Sequence, residues 1–270
     1  MVFIGTAGWN IPARHADGFA GPGTHLTRYA AQMTAVEINS SFYRPHQRKT
    51  YERWAASVPE DFRFSVKLPR SITQEHHLKD YDALLSRFLE ESTGLGVKLG
   101  VILVQLPPSL SYEADVAEDF FGALHGRTKA AIACEPRHAS WFTSEADAAL
   151  KTWHVARVAA DPPRAPADGA PGGWQGLRYW RLHGSPKIYY SDYDAAALKA
   201  LAEKLEAADW CIFDNTAAFA ALGNALSLSQ LTGPRAPEPE FGSPVMVPSR
   251  QRKKPWPANT PKPPPRKWRR

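Results

Sequence analysis

Short apolar runs alternate along the chain with segments of helical periodicity. The runs cover residues 2–9, 35–43, 63–69, 99–107, 129–137, 154–161, 177–184 and 209–216, and nearly all of them carry a polar or charged residue toward their C-terminal end. Between them apolar residues recur at three- and four-residue spacing over 24–33, 47–58, 78–89, 112–124, 144–153, 194–207 and 218–231. In 78–89, for example, Leu78, Tyr81, Leu84, Leu85 and Phe88 share one face. Strands and helices alternating at this rhythm predict right-handed βαβ units and a parallel sheet. Eight such strands predict an α/β fold with a single (β/α)8 TIM-type barrel over residues 1–233, close to the roughly 250 residues such barrels usually take. Ser111 and Ser144 are the predicted N-caps, since each has a short oxygen-bearing side chain ahead of an acidic turn.

One crossover breaks the rhythm. Residues 162–176 hold four prolines and four glycines, which predicts a helix-free loop at the C-terminal end of the sixth strand, either a lid over the barrel mouth or a crossover that lacks its helix. Beyond Gly233 the pattern stops altogether. Residues 234–270 contain 11 prolines and no apolar periodicity, and are predicted to be a disordered tail.

The formal net charge of +6 changes meaning once the charges are located. The tail carries 10 Lys or Arg against Glu238 and Glu240, a net of +8, which leaves 23 basic and 25 acidic residues, a net of −2, for residues 1–233. The basic character therefore belongs to the tail and not to the barrel. Trp256 and Trp268 lie among those basic residues, a mixture able to bind phosphate backbones and stack on bases, or simply to remain solvated. No run of about 18 apolar residues is present and Met1 leads directly into the first apolar run, so a cytoplasmic protein is expected. Cys134 and Cys211 fall inside predicted strands, where reduced core thiols are expected.

Candidate chemistry follows from strand parity, because active sites of such barrels lie at the C-terminal strand ends. In the second strand Val36 and Ile38 face the helices, which turns Glu37 and Asn39 inward. The same alternation directs Lys67, Gln105, Glu135, Arg137, Arg181 and His183 inward. Arg157 and Asp161 are assigned inward from the sixth strand; in the eighth, either Asp214 or Asn215 could face in. Trp141 and Tyr189 lie just past strand ends and are candidates for stacking on a planar ligand. About seven ionisable groups exceed what a packed barrel interior needs, although mutual ion pairing could account for them.

Some chemistries fit poorly. The common retaining glycosidases of this fold use carboxylates at the fourth and seventh strands, where this chain has Gln105 and His183. A multi-zinc hydrolase needs more inward histidines than His183, with His138 just beyond; a single Mg2+ or Mn2+ on Glu135, Asp161 and Asp214 stays open, and no other cofactor is called for. Lys67 could act as a Schiff-base lysine if desolvated, but an ion pair with Glu37 or Glu135 is the favoured expectation.

Seven segments then carry a family resemblance: GTAGW at 5–9, VEINSSFYR at 36–44, FSVKLP at 64–69, LVQLPPS at 103–109, EPRHASW at 135–141, YWRLHGSP at 179–186 and FDNTA at 213–217. In this order, over residues 2 to about 232, the chain resembles the YecE-like family, domain of unknown function 72. The resemblance implies a (β/α)8 barrel and transfers no catalytic role. The loop NIPARHADGFAGPG after Trp9 departs from the aromatic-rich segment usual in that family, and the tail lies outside the similarity.

Three functions are consistent with these features. The leading one is an enzyme binding a small anionic or phosphate-containing ligand through Lys67, Arg137 and Arg181, with Glu135 or Asp161 as general base and His183 as general acid, in a hydrolytic or phosphate-handling reaction. The second is a nucleic-acid-binding protein that uses the tail and the aromatic rim. The third is a catalytically silent interaction scaffold.

Overall fold

The structure, a computed structural model, describes residues 1–163 and 169–233. Among these residues β1 (Phe3–Thr6), β10 (Trp210–Phe213), β9 (Tyr179–Leu182) and β7 (Ala159–Asp161) form one parallel sheet in that order. A second sheet runs β2 (Ala35–Ile38), β3 (Arg63–Lys67), β4 (Leu99–Gln105), β5 (Ala131–Glu135), β6 (Val155–Arg157) and β8 (Gly172–Gly173). Among the described strands only β8 is antiparallel to its neighbour. Apart from β8, which falls in the proline- and glycine-rich 162–176 stretch, the strands lie inside the eight apolar runs, and the sixth run divides into β6 and β7 at Val158.

The helices are α1 (His25–Ala30), α2 (Arg48–Ala56), α3 (Asp82–Ser92), α4 (Ala114–Arg127), α5 (Ser144–Thr152), α6 (Ala195–Ala202) and α7 (Ala220–Thr232). Both predicted N-caps are displaced. Thr143, not Ser144, accepts the amide of Ala146 at 3.2 Å and caps α5. In α4 the N-cap position is Glu113, whose side chain makes no capping bond, so Ser111 lies outside the helix. A β-branched hydroxyl held in extended geometry just before the acidic turn outcompetes the serine one residue inside it. The described residues between β7 and β9 contain no helix, as the proline and glycine content requires; residues 164–168 of that stretch lie outside the description.

Each sheet has two differently employed faces. Val36, Ile38, Phe64, Val66, Ile102, Val104, Cys134, Leu182 and Phe213 pack toward the helices in the larger apolar cluster. From the opposite faces of both sheets, Ala35, Val101, Leu103, Ala133, Ala156, Val158, Tyr179, Trp210 and Ile212 meet in a second cluster. The Tyr179 and Trp210 rings stack there 6.0 Å apart at 11°. Such bulk leaves room opposite only for small side chains, which is why Ala133 and Ala156 point the same way.

Two side chains bridge the gap between β1 and β2. The amide of Ile4 donates to Thr34 Oγ1 at 2.8 Å, and the amide of Thr6 donates to the Tyr29 hydroxyl at 2.9 Å, which in turn reaches the Ala35 carbonyl at 3.2 Å. Only at the C-terminal end do the backbones meet, where Ala7 bridges Glu37 and Gly8 N donates to the Glu37 carbonyl at 2.9 Å. Gly5 sits opposite this seam because a Cβ there would collide with the Ala35 carbonyl.

Candidate functional site

Parity brings four strand ends to one buried cluster. Glu37 lies one residue before the end of β2, Glu135 ends β5, Arg181 lies on β9, and Asp214 follows β10, with His183 two residues beyond Arg181. Arg181 is fully buried at 0% exposure and is held by three carboxylates. Its Nε and Nη2 donate to Glu37 Oε2 (3.0 Å) and Oε1 (2.8 Å), Nη1 donates to Glu135 Oε2 (3.0 Å), and Nη2 lies 3.1 Å from Asp214 Oδ2. Tyr179 donates to Glu37 Oε2 at 3.1 Å and lies 3.0 Å from Ser65 Oγ, so the Glu37 carboxylate is held from two sides.

His183 sits between two acids, with Nδ1 3.0 Å from Asp214 Oδ2 and Nε2 2.8 Å from Glu135 Oε1. A proton on either ring nitrogen thus already faces an acceptor. Arg137 Nη2 reaches Glu135 Oε1 at 2.5 Å and His183 Nε2 at 3.1 Å, and Gln105 Nε2 donates to Glu135 Oε2 at 3.2 Å. Burial alone would raise the Glu135 carboxyl, but Arg181, His183 and Arg137 hold it well below the ordinary carboxylate range. Asp214 is likewise lowered, because Arg181 and His183 outweigh the burial that raises it.

Lys67 departs from expectation. Its side chain is 4% exposed, and no carboxylate lies within ion-pair distance of Nζ among the described residues. The ammonium instead rests 4.0 Å over the Phe42 ring. Arg181 takes up the charge of Glu37, Glu135 and Asp214 at contact distance, which leaves none for the lysine. Burial, and next the Arg181 cation, lower its pKa to about 8, against the more distant pull of Glu37, Asp214 and Glu135.

Four predicted site residues sit elsewhere. Asp161 accepts a 2.6 Å bond from the Tyr193 hydroxyl and lines a 480 Å3 cavity with Trp180 and α6 residues, while Arg157 turns to Asp147 of α5 at 3.5 Å. Parity in the sixth run is set by Ala156 and Val158, whose small or branched side chains fit the inner cluster, so 157 and 161 face outward. Asn215 follows Phe213 to the helix side and donates to Ser191 O (2.9 Å) and Asn224 Oδ1 (2.8 Å), which leaves Asp214 as the inward member of the pair. Trp141 is buried in a 3-10 turn, where Nε1 donates to Leu110 O at 3.0 Å and the ring meets Tyr112 edge-on, so it offers no face to a ligand.

Tyr189, by contrast, is 41% exposed and presents its edge to His183 at a centroid distance of 5.8 Å. Asn39 lies to one side, lining a 420 Å3 cavity with Trp9, His46 and Trp54, and its buried Oδ1 has no hydrogen-bond partner. Ser65 and Tyr179 share the inward parity of Lys67 and Arg181, whereas no pattern in the sequence marks Phe42 as the platform under Lys67. The open metal trio is not brought together, since Asp161 faces away from Glu135 and Asp214. Among the described residues no group of three His, Cys, Asp or Glu side chains is arranged to hold a metal. No helix among them is long and apolar enough to cross a membrane.

Comparison with known proteins agrees with this architecture. The solved structure of a DUF72 family protein from Enterococcus faecalis superposes with a TM-score of 0.72 at 19% identity, covering 88% of this chain and 97% of that one. One from Thermotoga maritima gives 0.71 at 23% identity over 86% and 98% of the two chains. Among curated sequences, the UPF0759 protein YecE of Escherichia coli is 29% identical over 143 residues, and YunF of Bacillus subtilis 25% identical over 158 residues. The similarity to each covers 53% of this chain, and the chain spans about half the length of these relatives. The family "Protein of unknown function DUF72" matches residues 3–250, beyond the point near 232 where the segment resemblance ends. Spanning nearly the whole folded unit, that match means that the chain belongs to the DUF72 family.

Proposed function

We propose that the two sheets close into a single (β/α)8 barrel and that its C-terminal strand ends form an enzyme site for a small anionic or phosphate-containing ligand. Closure is supported at both joins. At one, the side chains of Tyr29 and Thr34 stand in for ladder bonds between β1 and β2; at the other, β6 and β7 are consecutive pieces of one run, with Val158 N donating to the Cys134 carbonyl at 2.9 Å.

The observation that carries the ligand reading is the buried Nε of Arg137, which has no hydrogen-bond partner. A guanidinium edge left open beside an otherwise satisfied charge network costs free energy unless an anion or water completes it. Arg181, already saturated by three carboxylates, is a scaffold and not an anion binder. Glu135 is held ionised too firmly to serve as the general base, and its work is to orient His183. Proton transfer then falls to His183, with Asp214 as its second support; hydrolysis of a phosphate-containing compound is one reaction this arrangement serves.

The test is ligand-induced stabilisation. Inorganic phosphate and oxalate should raise the thermal midpoint above that in chloride at equal ionic strength, and Arg137→Gln should abolish the difference while the protein stays folded. No anion-specific rise in the unmodified protein would overturn this reading.

A further inference from the structure

We propose that Lys67 is a covalent catalytic residue, forming an imine with a small aldehyde or ketone that carries an anionic group. This rests on the site reading above and names its ligand class as carbonyl compounds. The side chain ends β3 on the inner face of the sheets, almost wholly buried, and approaches the Phe42 ring in place of a carboxylate. All three nearby acids spend oxygens on other partners: Glu37 on Arg181, Glu135 on Arg181, His183 and Arg137, and Asp214 on Arg181 and His183. An ion-paired lysine is locked as ammonium, whereas a lysine desolvated beside another cation readily releases its proton and exposes the nucleophilic lone pair. Its lowered pKa, near 8, agrees with that environment.

The remaining parts suit the same chemistry. The Lys67 Nζ lone pair attacks the carbonyl carbon, and the proton shed by the nitrogen passes to the carbonyl oxygen, giving a neutral carbinolamine. His183 donates a proton to its hydroxyl group, water leaves as the nitrogen lone pair forms the C=N bond, and the protonated imine returns its N–H proton to His183. The net change is amine plus carbonyl to imine plus water, with no oxidant or reductant. Asp214 both supports His183 and acts electrostatically on Lys67, so it links the proton donor to the nucleophile. The open Nε of Arg137 is the group to hold the ligand's anionic end.

The experiment traps the imine in the full-length protein. Formaldehyde and glyoxylate, each with cyanoborohydride, are incubated between pH 6.5 and 10 in native buffer and in urea, and each lysine is quantified by peptide mass spectrometry. At pH 7.5 a lysine with a pKa near 8 has far more neutral amine than surface lysines near 10.5, so the Lys67 peptide should carry about ten-fold more adduct or greater. That preference should disappear in urea. With glyoxylate, Lys67→Met should remove the single dominant intact-mass adduct and leave the surface background. Labelling of surface lysines with Lys67 unmodified by both probes would overturn the proposal. Labelling by formaldehyde alone would overturn the anionic-carbonyl class. If Lys67 stays unlabelled while phosphate still stabilises the protein through Arg137, the imine fails and the anion site stands; if Lys67 is trapped although phosphate has no effect, the failure lies with the anion reading.

Discussion

Glu135 illustrates how a side chain legible as functional can also carry structure. Two arginines and His183 converge on its carboxylate, and all three are nearly inaccessible to water. Removing one partner of a buried network leaves the others uncompensated, at about 3–5 kcal/mol. Glu135→Gln should therefore lower the thermal midpoint by roughly 10 °C, and adding Arg137→Gln should recover part of the loss by removing one stranded cation. A single variant within about 2 °C of the unmodified protein would contradict so central a structural role. Strand parity was enough to turn Glu37, Lys67, Glu135, Arg181 and His183 into one place, because alternation is dictated by the pleat. It said nothing of who pairs with whom. Arg181 could claim all three acids only because their strands converge, which left Lys67 alone against the pairing its sequence neighbours suggested.

That solitude has a consequence for stability. Lys67 titrates near 8 in the folded protein and near 10.5 when unfolded, so the unfolded chain holds the proton more tightly between these values. Below pH 8 the group opposes folding by its full amount, on the order of 3 kcal/mol, and the opposition disappears as the pH rises toward 10.5. Lys67→Met keeps the length and apolar stem without the charge. Urea unfolding should show the variant more stable than the unmodified protein at pH 7, with the gap closing between pH 8 and 10.5. A gap that stays constant across this range would mean that Lys67 is not held with a lowered pKa.

At the scale of elements, the seam between β1 and β2 is the least regular part of the architecture and the part least visible in sequence. All eight apolar runs were read from their composition, and the helices from their periodicity, since both are local properties. The joins are not local. Tyr29 belongs to α1 and reads as one more apolar position of that helix, yet its hydroxyl connects Thr6 N to the Ala35 carbonyl across the gap. Burial raises its pKa, so the hydroxyl keeps the proton that the Ala35 contact requires. The sixth run was misjudged for a related reason: Arg157 and Asp161 look like site residues until the bulk of Tyr179 and Trp210 fixes which side must be small. Tyr29→Phe strips partners from two buried backbone groups and should cost about 2–4 kcal/mol. Amide exchange at Thr6 should accelerate more than exchange within β3 and β4. Equal protection at Thr6 in both proteins would show that Thr34 and the backbone bridge at Ala7 hold the seam without Tyr29.

For the whole molecule, charge is divided between two stretches of sequence. Residues 1–233 carry a net of −2 and residues 234–270 a net of +8, and the latter lie outside the described structure. Among the described residues α7 packs Leu222, Ala225 and Leu228 into the larger apolar cluster. Truncation after Gly233 should accordingly leave a cooperative, folded protein. Because the family match continues to residue 250, a second truncation after Arg250 separates the contribution of residues 234–250 from that of the basic terminus. If this chain binds single-stranded nucleic acid, affinity should follow the basic residues and decline steeply with salt, as counterion release demands. The longer truncation keeps only Arg235 and Arg250 of the ten basic residues after Gly233, so both truncated proteins should lose nearly all binding. Fluorescence anisotropy of a labelled oligonucleotide at 20 and 150 mM salt, chosen to bracket about one Debye length of change, reads this directly. Undiminished binding by the protein ending at Gly233 would transfer the contact to the exposed rim of Tyr43, Tyr189 and Tyr190, beside the site that holds Lys67 and His183.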